Sequence, residues 1–172
     1  MIDLEEIDKK ARVGDFSTQD IEVIVPDLEK LEDGDTYLEI GVKYGKSLSV
    51  ARMVTKKGVR VCGVDLKDDP GVENTEFFRG DSVEVEKHLG VVIGEISVLF
   101  IDGDHTYQGV KRDINAWHPH VKEKGVMFFH DCDESGPGVM WAVSEFVCTH
   151  SCRFTLYKYN NKNTSMARVG LE

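Results

Sequence analysis

Strand-length apolar runs in this chain end, one after another, in acidic residues or glycine: Glu39 and Gly41, Asp65, Asp81, Asp102 and Asp131. The first of these ends continues as Glu39-Ile-Gly41-Val-Lys-Tyr44-Gly45-Lys-Ser47, with two glycines four apart. Glycine lets a backbone approach a ligand closely and take unusual φ values. The spacing is not the G-x-G-x-x-G of a dinucleotide turn. Residue 40, where a P-loop ending at Gly45-Lys46-Ser47 needs its first glycine, is Ile. The turn therefore offers no pyrophosphate cradle, and Glu39 would attract an ammonium group instead. Asp65, twenty residues after Gly45, can accept both hydroxyls of a ribose. The helix beginning near Ser47 presents its N-terminus to a carboxylate, and Gly80-Asp81-Ser82 can read an adenine amino group. S-adenosylmethionine joins all of these parts to a cationic sulfonium. The expected cofactor shell is Glu39, Gly41, Tyr44, Gly45, Ser47, Asp65, Leu66, Gly80, Asp81, Ser82 and Asp102. Taken singly, each feature has a structural alternative: a packing turn, a surface loop acid, a helix cap. Their order along the chain is what joins them.

Ile101-Asp-Gly-Asp-His-Thr-Tyr-Gln-Gly-Val-Lys-Arg-Asp113, then Trp117, then Gly125-Val-Met-Phe-Phe-His-Asp131 resembles the hallmark of a class I methyltransferase family related to macrolide and aminocoumarin sugar O-methyltransferases. The resemblance runs from about Thr36 to Phe146, and Asp-Gly-Asp-His-x-Tyr is its most specific part. It implies an α/β, Rossmann-like class I methyltransferase fold: a mostly parallel seven-stranded sheet, antiparallel last strand, helices on both faces. It also implies methyl transfer from S-adenosylmethionine, most readily to an oxygen of a small-molecule acceptor. In the sugar-modifying relatives the first Asp of the segment and an acidic pair after the fifth strand hold a divalent metal, and the second Asp is a proposed general base. By position this makes Asp102, His130 and Asp131 the metal set and Asp104 the base. The chain has His130 where those relatives have Asp. Carboxylates alone suit Mg2+, and an added imidazole also admits Mn2+, Fe2+ or Zn2+. Without a metal, one of Asp104, His105 and His130 would take the acceptor's proton. The plain structural alternative has Asp131 capping the next loop and His130 packed beneath it.

The elements that must position these groups follow from periodicity. Strands are predicted at Thr36–Ile40, Val59–Val64, Glu76–Arg79, Ile96–Ile101, Gly125–Phe129, Arg153–Tyr159 and Ser165–Leu171. Helices are predicted at Ser47–Thr55, Ser82–Leu89 with Ser82 as N-cap, Tyr107–Val121 and Gly138–Cys148. Residues 3–30 read as partly helical, limited by Pro26. The expected organisation is a single domain, with an N-terminal helical segment (1–34) and a core (35–172). Apolar strands alternating with amphipathic helices call for a parallel sheet covered on both faces. The last two strands lack an intervening helix and should form a hairpin. In such sheets ligands bind beyond the carboxyl ends of the strands, where the acidic row falls. Trp117 is expected to pack its helix on the sheet. Trp141 is read as a core residue, with an acceptor-pocket wall as the alternative. His118 and His120, flanking Pro119, and the charged run Asp27–Asp35 are expected to be solvated.

The bulk numbers restrict the partners. The chain has 172 residues, 41% of them hydrophobic, and a net charge of −10. That charge repels nucleic acid on average, and no apolar run is long enough to span a membrane. The acidic start, Met1-Ile-Asp-Leu-Glu-Glu6, lacks the pattern of a secretory signal, so a cytoplasmic location with reduced cysteines is expected. Cys148-Thr-His-Ser-Cys152 lacks the C-x-x-C spacing of a zinc site. Little chain before Thr36 is free to form a lid, so a second subunit completing the acceptor site, in a homo-oligomer, is an option. The alternative function is a catalytically silent S-adenosylmethionine-binding or assembly domain. A nucleotide-dependent oxidoreductase is disfavoured by the missing G-x-G.

Overall fold

The computed structural model describes residues 3–133, 137–159 and 165–172. The elements run α1 (Leu4–Lys10), α2 (Thr18–Leu28), β1 (Thr36–Ile40), α3 (Lys46–Val54), β2 (Arg60–Asp65), β3 (Glu76–Arg79), α4 (Ser82–Ile93), β4 (Ile96–Ile101), α5 (Tyr107–Trp117), a 3-10 turn (His118–His120), β5 (Val121–His130), α6 (Pro137–Thr149), β6 (Cys152–Lys158) and β7 (Ser165–Leu171). The seven strands form one sheet in the order β3-β2-β1-β4-β5-β7-β6. Pairings from β3 to β5 are parallel, and β7 runs antiparallel between β5 and β6. This is the Rossmann-like methyltransferase topology, with the chain reversing direction across the sheet at β1 and β4.

Strand alternation divides the core in two. Leu38, Ile40, Leu99, Ile101, Met127 and Phe129 pack with α4, α5 and α6 on one face. Tyr37, Val98, Phe100, Val126 and Phe128 pack with α2 and α3 on the other. Both faces being covered, β1 and β4 are buried at every position. Val110, Ile114 and Trp117 fall on one stripe of α5, and Trp117 has no exposed surface.

Several sequence expectations are corrected here. Helix α5 stops at Trp117 rather than Val121, because Pro119 has no N–H to continue it, and residues 121–124 join β5. Helix α4 is capped by Asp81, whose side chain accepts from the N–H groups of Val83 and Glu84, rather than by Ser82. His118 is half-buried against the rings of Phe146 and His150, and His120 Nε2 meets Glu86 at 2.8 Å. Asp27 is buried and held by Arg168 Nε at 2.6 Å. Asp35 accepts from Ser97 and Lys122. Trp141 is 61% exposed on α6, in neither the core nor the cavity described below. No helix among the described residues is long and apolar enough to cross a membrane.

Candidate active site

A cavity of about 550 Å³ opens at the carboxyl ends of β1, β2, β4 and β5. Its floor is the turn after β1. Gly41 has φ +88°, and a Cβ there would lie 2.3 Å from the carbonyl oxygen of Asp102. Only glycine lets the β4–α5 turn cross this close. Gly45, at φ +79°, begins α3 without a side-chain cap. It packs under Pro70 and Val72 and supports the turn from outside the cavity.

Of the expected cofactor residues, Gly41, Tyr44, Ser47, Asp65, Leu66, Gly80, Asp81, Ser82 and Asp102 line this cavity, and Glu39 and Gly45 do not. Glu39 has no exposed surface. Its carboxyl receives the hydroxyls of Tyr37 (2.7 Å) and Ser47 (2.5 Å), and burial raises its pKa to about 8. It braces β1 against α3 as a neutral acid. Asp65 ties two loops together, Oδ2 accepting from Lys43 N–H (2.7 Å) and Oδ1 from Lys67 N–H (2.8 Å).

At the β4 and β5 end, Asp102, Asp104, His105, His130 and Asp131 share the same wall. Asp102 Oδ1 lies 3.2 Å from His105 Nε2 and 3.3 Å from His130 Nδ1. Asp131 Oδ2 lies 3.5 Å from His105 Nδ1 and 3.3 Å from His130 Nδ1. Behind them, Asp20 of α2 faces His130 Nε2 at 3.3 Å. Burial alone would lower the pKa of His130, but Asp102, Asp131 and Asp20 push it up to about 12. The Asp102 hydrogen bond likewise raises His105. Burial opposes ionisation of Asp102, yet the two imidazoles hold its pKa below the ordinary value. Three carboxylates, Asp20, Asp102 and Asp131, thus surround two imidazoles whose positive form they favour.

Asp102, His105 and Asp131 can each place one ligand atom within 4.8 Å of the others. Two carboxylates and an imidazole suit a divalent transition-metal ion such as Mn2+, Fe2+ or Zn2+ better than they suit Mg2+. His105, read from the sequence as a base, is thus the imidazole that gathers with the two aspartates. His130, read as a ligand, lies beside them with its second nitrogen toward Asp20. Sequence reasoning also missed the wall contributed by Gly14, Asp15 and Phe16, and the buried Asp113. The segment before α2 forms part of the wall, with Asp15 paired to Lys43 and Asp8 to Lys46 at 2.6 Å. Nothing in residues 14–16 carries a motif that would mark it.

Sheet order, glycine turn and acidic exit edge together define a class I, S-adenosylmethionine-dependent methyltransferase domain. A family model described as methyltransferase domain matches residues 38–132, and the chain belongs to that family. A curated protein of Acanthamoeba polyphaga mimivirus, itself uncharacterized, is 33% identical over 148 residues, covering 74% of this chain and 66% of that protein. Among solved structures, the MycE methyltransferase of the mycinamycin biosynthetic pathway, in complex with Mg, SAH and mycinamycin VI, is 18% identical. It superposes with a TM-score of 0.75 over 99% of this chain and 55% of its own. The O-methyltransferase from Bacillus cereus in complex with SAH is 13% identical, with a TM-score of 0.79 over 98% and 90%. The chain thus spans about two thirds of the curated relative and about half of MycE.

Proposed function

We propose that this protein transfers the methyl group of S-adenosylmethionine to an oxygen of a small-molecule acceptor, with a divalent ion held by Asp102, His105 and Asp131. The observation that carries the reading is a single cavity. It joins the Asp65 and Gly80-to-Ser82 side, suited to an adenosyl group, to the Asp102, His105 and Asp131 group at its other end. The volume suits a nucleoside-sized ligand and leaves room for the reacting end of an acceptor. The MycE structure, which holds Mg and SAH, gives the metal part of the proposal a precedent in the same fold.

A sulfonium is already an activated methyl donor, so the chain's tasks are alignment and proton removal. Asp65 accepts the ribose hydroxyls, and the backbone at Gly41 lets the ligand lie against the sheet edge. A divalent ion, when bound, would lower the pKa of an acceptor hydroxyl and fix its direction. Asp104, free of the ion, lines the same cavity and takes the acceptor's proton. His130, buried and fixed by Asp20, holds the carboxylates in place from behind.

Thermal unfolding with S-adenosylhomocysteine, NAD and ATP tests the ligand class. Stabilisation by S-adenosylhomocysteine alone is expected, and stabilisation by NAD alone would overturn the reading. Release of S-adenosylhomocysteine with hydroxylated acceptors, lost on adding chelator and restored by Mn2+, is expected next. Cofactor binding without turnover across sugars and phenols, with every metal tried, would replace the enzyme by a silent binding domain.

A further inference from the structure

Lys43 bonds to two walls of the cavity at once. It stands in the β1–α3 turn with φ +53°, a left-handed backbone that a residue with a Cβ rarely adopts. In that conformation its N–H donates to Asp65 Oδ2 at 2.7 Å. Its Nζ donates to Asp15, in the wall made by residues 14–16. That hydrogen bond raises the pKa of Lys43 and lowers that of Asp15. All three residues line the cavity. The backbone of Lys43 therefore serves the acid that the ribose would use, and its side chain serves the N-terminal segment.

Other polar contacts tie the same segment to the same side of the molecule. Asp8 meets Lys46 at 2.6 Å. The N–H of Arg12 donates to Ser49 Oγ at 3.3 Å, and Arg12 Nη1 to the Gly71 carbonyl at 3.1 Å. Lys43, Lys46 and Ser49 belong to the β1–α3 turn and α3, and Gly71 to the loop after β2. No described residue before Phe16 is fully buried, and Val13 is 92% exposed. A segment held in this way opens at a cost set largely by its polar ties. A ligand that stiffens their partners makes opening rarer.

We infer that Lys43 is a positioning residue that couples the two walls: a methyl donor seated on Asp65 fixes the left-handed turn, which keeps Nζ on Asp15 and holds residues 8–16 in place. The inference rests on the methyl-donor reading above and extends it from the ligand to the chain's response. The coupling is reciprocal, so a donor that steadies the segment is itself held more tightly when the segment is in place. The side chains of Lys43 and Asp15 are 50% and 78% exposed. A pair this exposed contributes a factor of about five at most, and variants at either position should fold.

The bond between Arg12 and Val13 lies in this segment, and its cleavage by trypsin reads how often the segment opens. The measured quantity is the ratio of cleavage rates without and with S-adenosylhomocysteine, each protein being saturated as judged by calorimetric titration. In the wild type the ligand should slow cleavage after Arg12 by about fivefold. In Lys43→Met and in Asp15→Asn the slowing should fall to about twofold or less, with the affinity for S-adenosylhomocysteine weakened by no more than about fivefold. Lys43→Arg keeps the cation and should restore the wild-type ratio. A merely structural role would speed cleavage equally with and without ligand and leave the ratio unchanged. Full wild-type slowing in either Lys43→Met or Asp15→Asn therefore overturns the inference. A wild-type protein that binds S-adenosylhomocysteine with no change in cleavage also overturns it, and leaves the methyl-donor reading standing. A wild-type protein that does not bind S-adenosylhomocysteine overturns that reading itself.

Discussion

Glu39 separates a residue's type from its task. Its position in β1 explains why the two part. Asp65 is the last residue of β2 and Asp102 follows the last residue of β4, whereas Glu39 precedes the last residue of its strand. A side chain inside a strand covered on both faces points into a core, and here it meets Tyr37 and Ser47. Counting from the strand end is the signal that would have moved Glu39 out of the ligand shell. The consequence is measurable. In the folded protein Glu39 holds its proton up to about pH 8, against an ordinary value of 4.5. Between these values the folded state binds more protons than the unfolded one, so this group makes stability fall as pH rises. Glu39→Gln keeps both hydrogen bonds without the titration. In urea unfolding it should match the wild type near pH 5 and become the more stable of the two by pH 8.5. Glu39→Ala leaves two buried hydroxyls unpaired and should lose about 2–4 kcal/mol near pH 5, the gap narrowing as pH rises toward 8. Equal pH slopes for the wild type and Glu39→Gln would show that the carboxyl ionises freely.

At the scale of elements, much of the architecture was legible because strand and helix periods differ and the apolar runs are strong. Leu38 and Ile40 against Tyr37, and Val98 and Phe100 against Leu99 and Ile101, alternate cleanly between the two cores. Boundaries were less legible where one residue had two uses. Pro119 ended α5 early, and Asp81 took the capping role that its neighbour Ser82 could also have filled. The cavity wall made by residues 14–16 was not legible at all. Gly14 to Phe16 has no periodicity, and its place comes from long-range pairs such as Asp15 with Lys43 and Asp8 with Lys46. The β1–α3 turn was read correctly as a close approach, but what approaches it was not foreseen. It is the chain's own Asp102 carbonyl. Gly41→Ala must therefore strain a positive φ and push the β4–α5 turn away. The two cores are untouched, so the variant should fold, with S-adenosylhomocysteine affinity weakened by about tenfold or more. Unchanged affinity by calorimetry would mean that the turn does not define the ligand's seat.

At the scale of the whole molecule, the cavity carries an excess of negative charge. Among the described residues seven aspartates line the cavity against four lysines and arginines, within a chain of net charge −10. Such an edge draws cations, and the structure supplies one internally: the His130 ring, ringed by Asp20, Asp102 and Asp131. A divalent ion at Asp102, His105 and Asp131 must therefore displace the proton that Asp102 stabilises on His105. Ion binding should release protons and strengthen with pH. Nitrogen among the donors favours Mn2+ or Zn2+ over Mg2+. Thermal unfolding with each ion at pH 6 and pH 8 reads both effects. The expected order is a larger rise in Tm with Mn2+ than with Mg2+, larger at pH 8 than at pH 6, and abolished in Asp131→Asn. Equal rises with Mg2+ and Mn2+ would place the ion on oxygens alone, away from His105. No rise with any ion at pH 8 would leave the internal imidazolium as the site's cation and remove the metal from the proposed reaction.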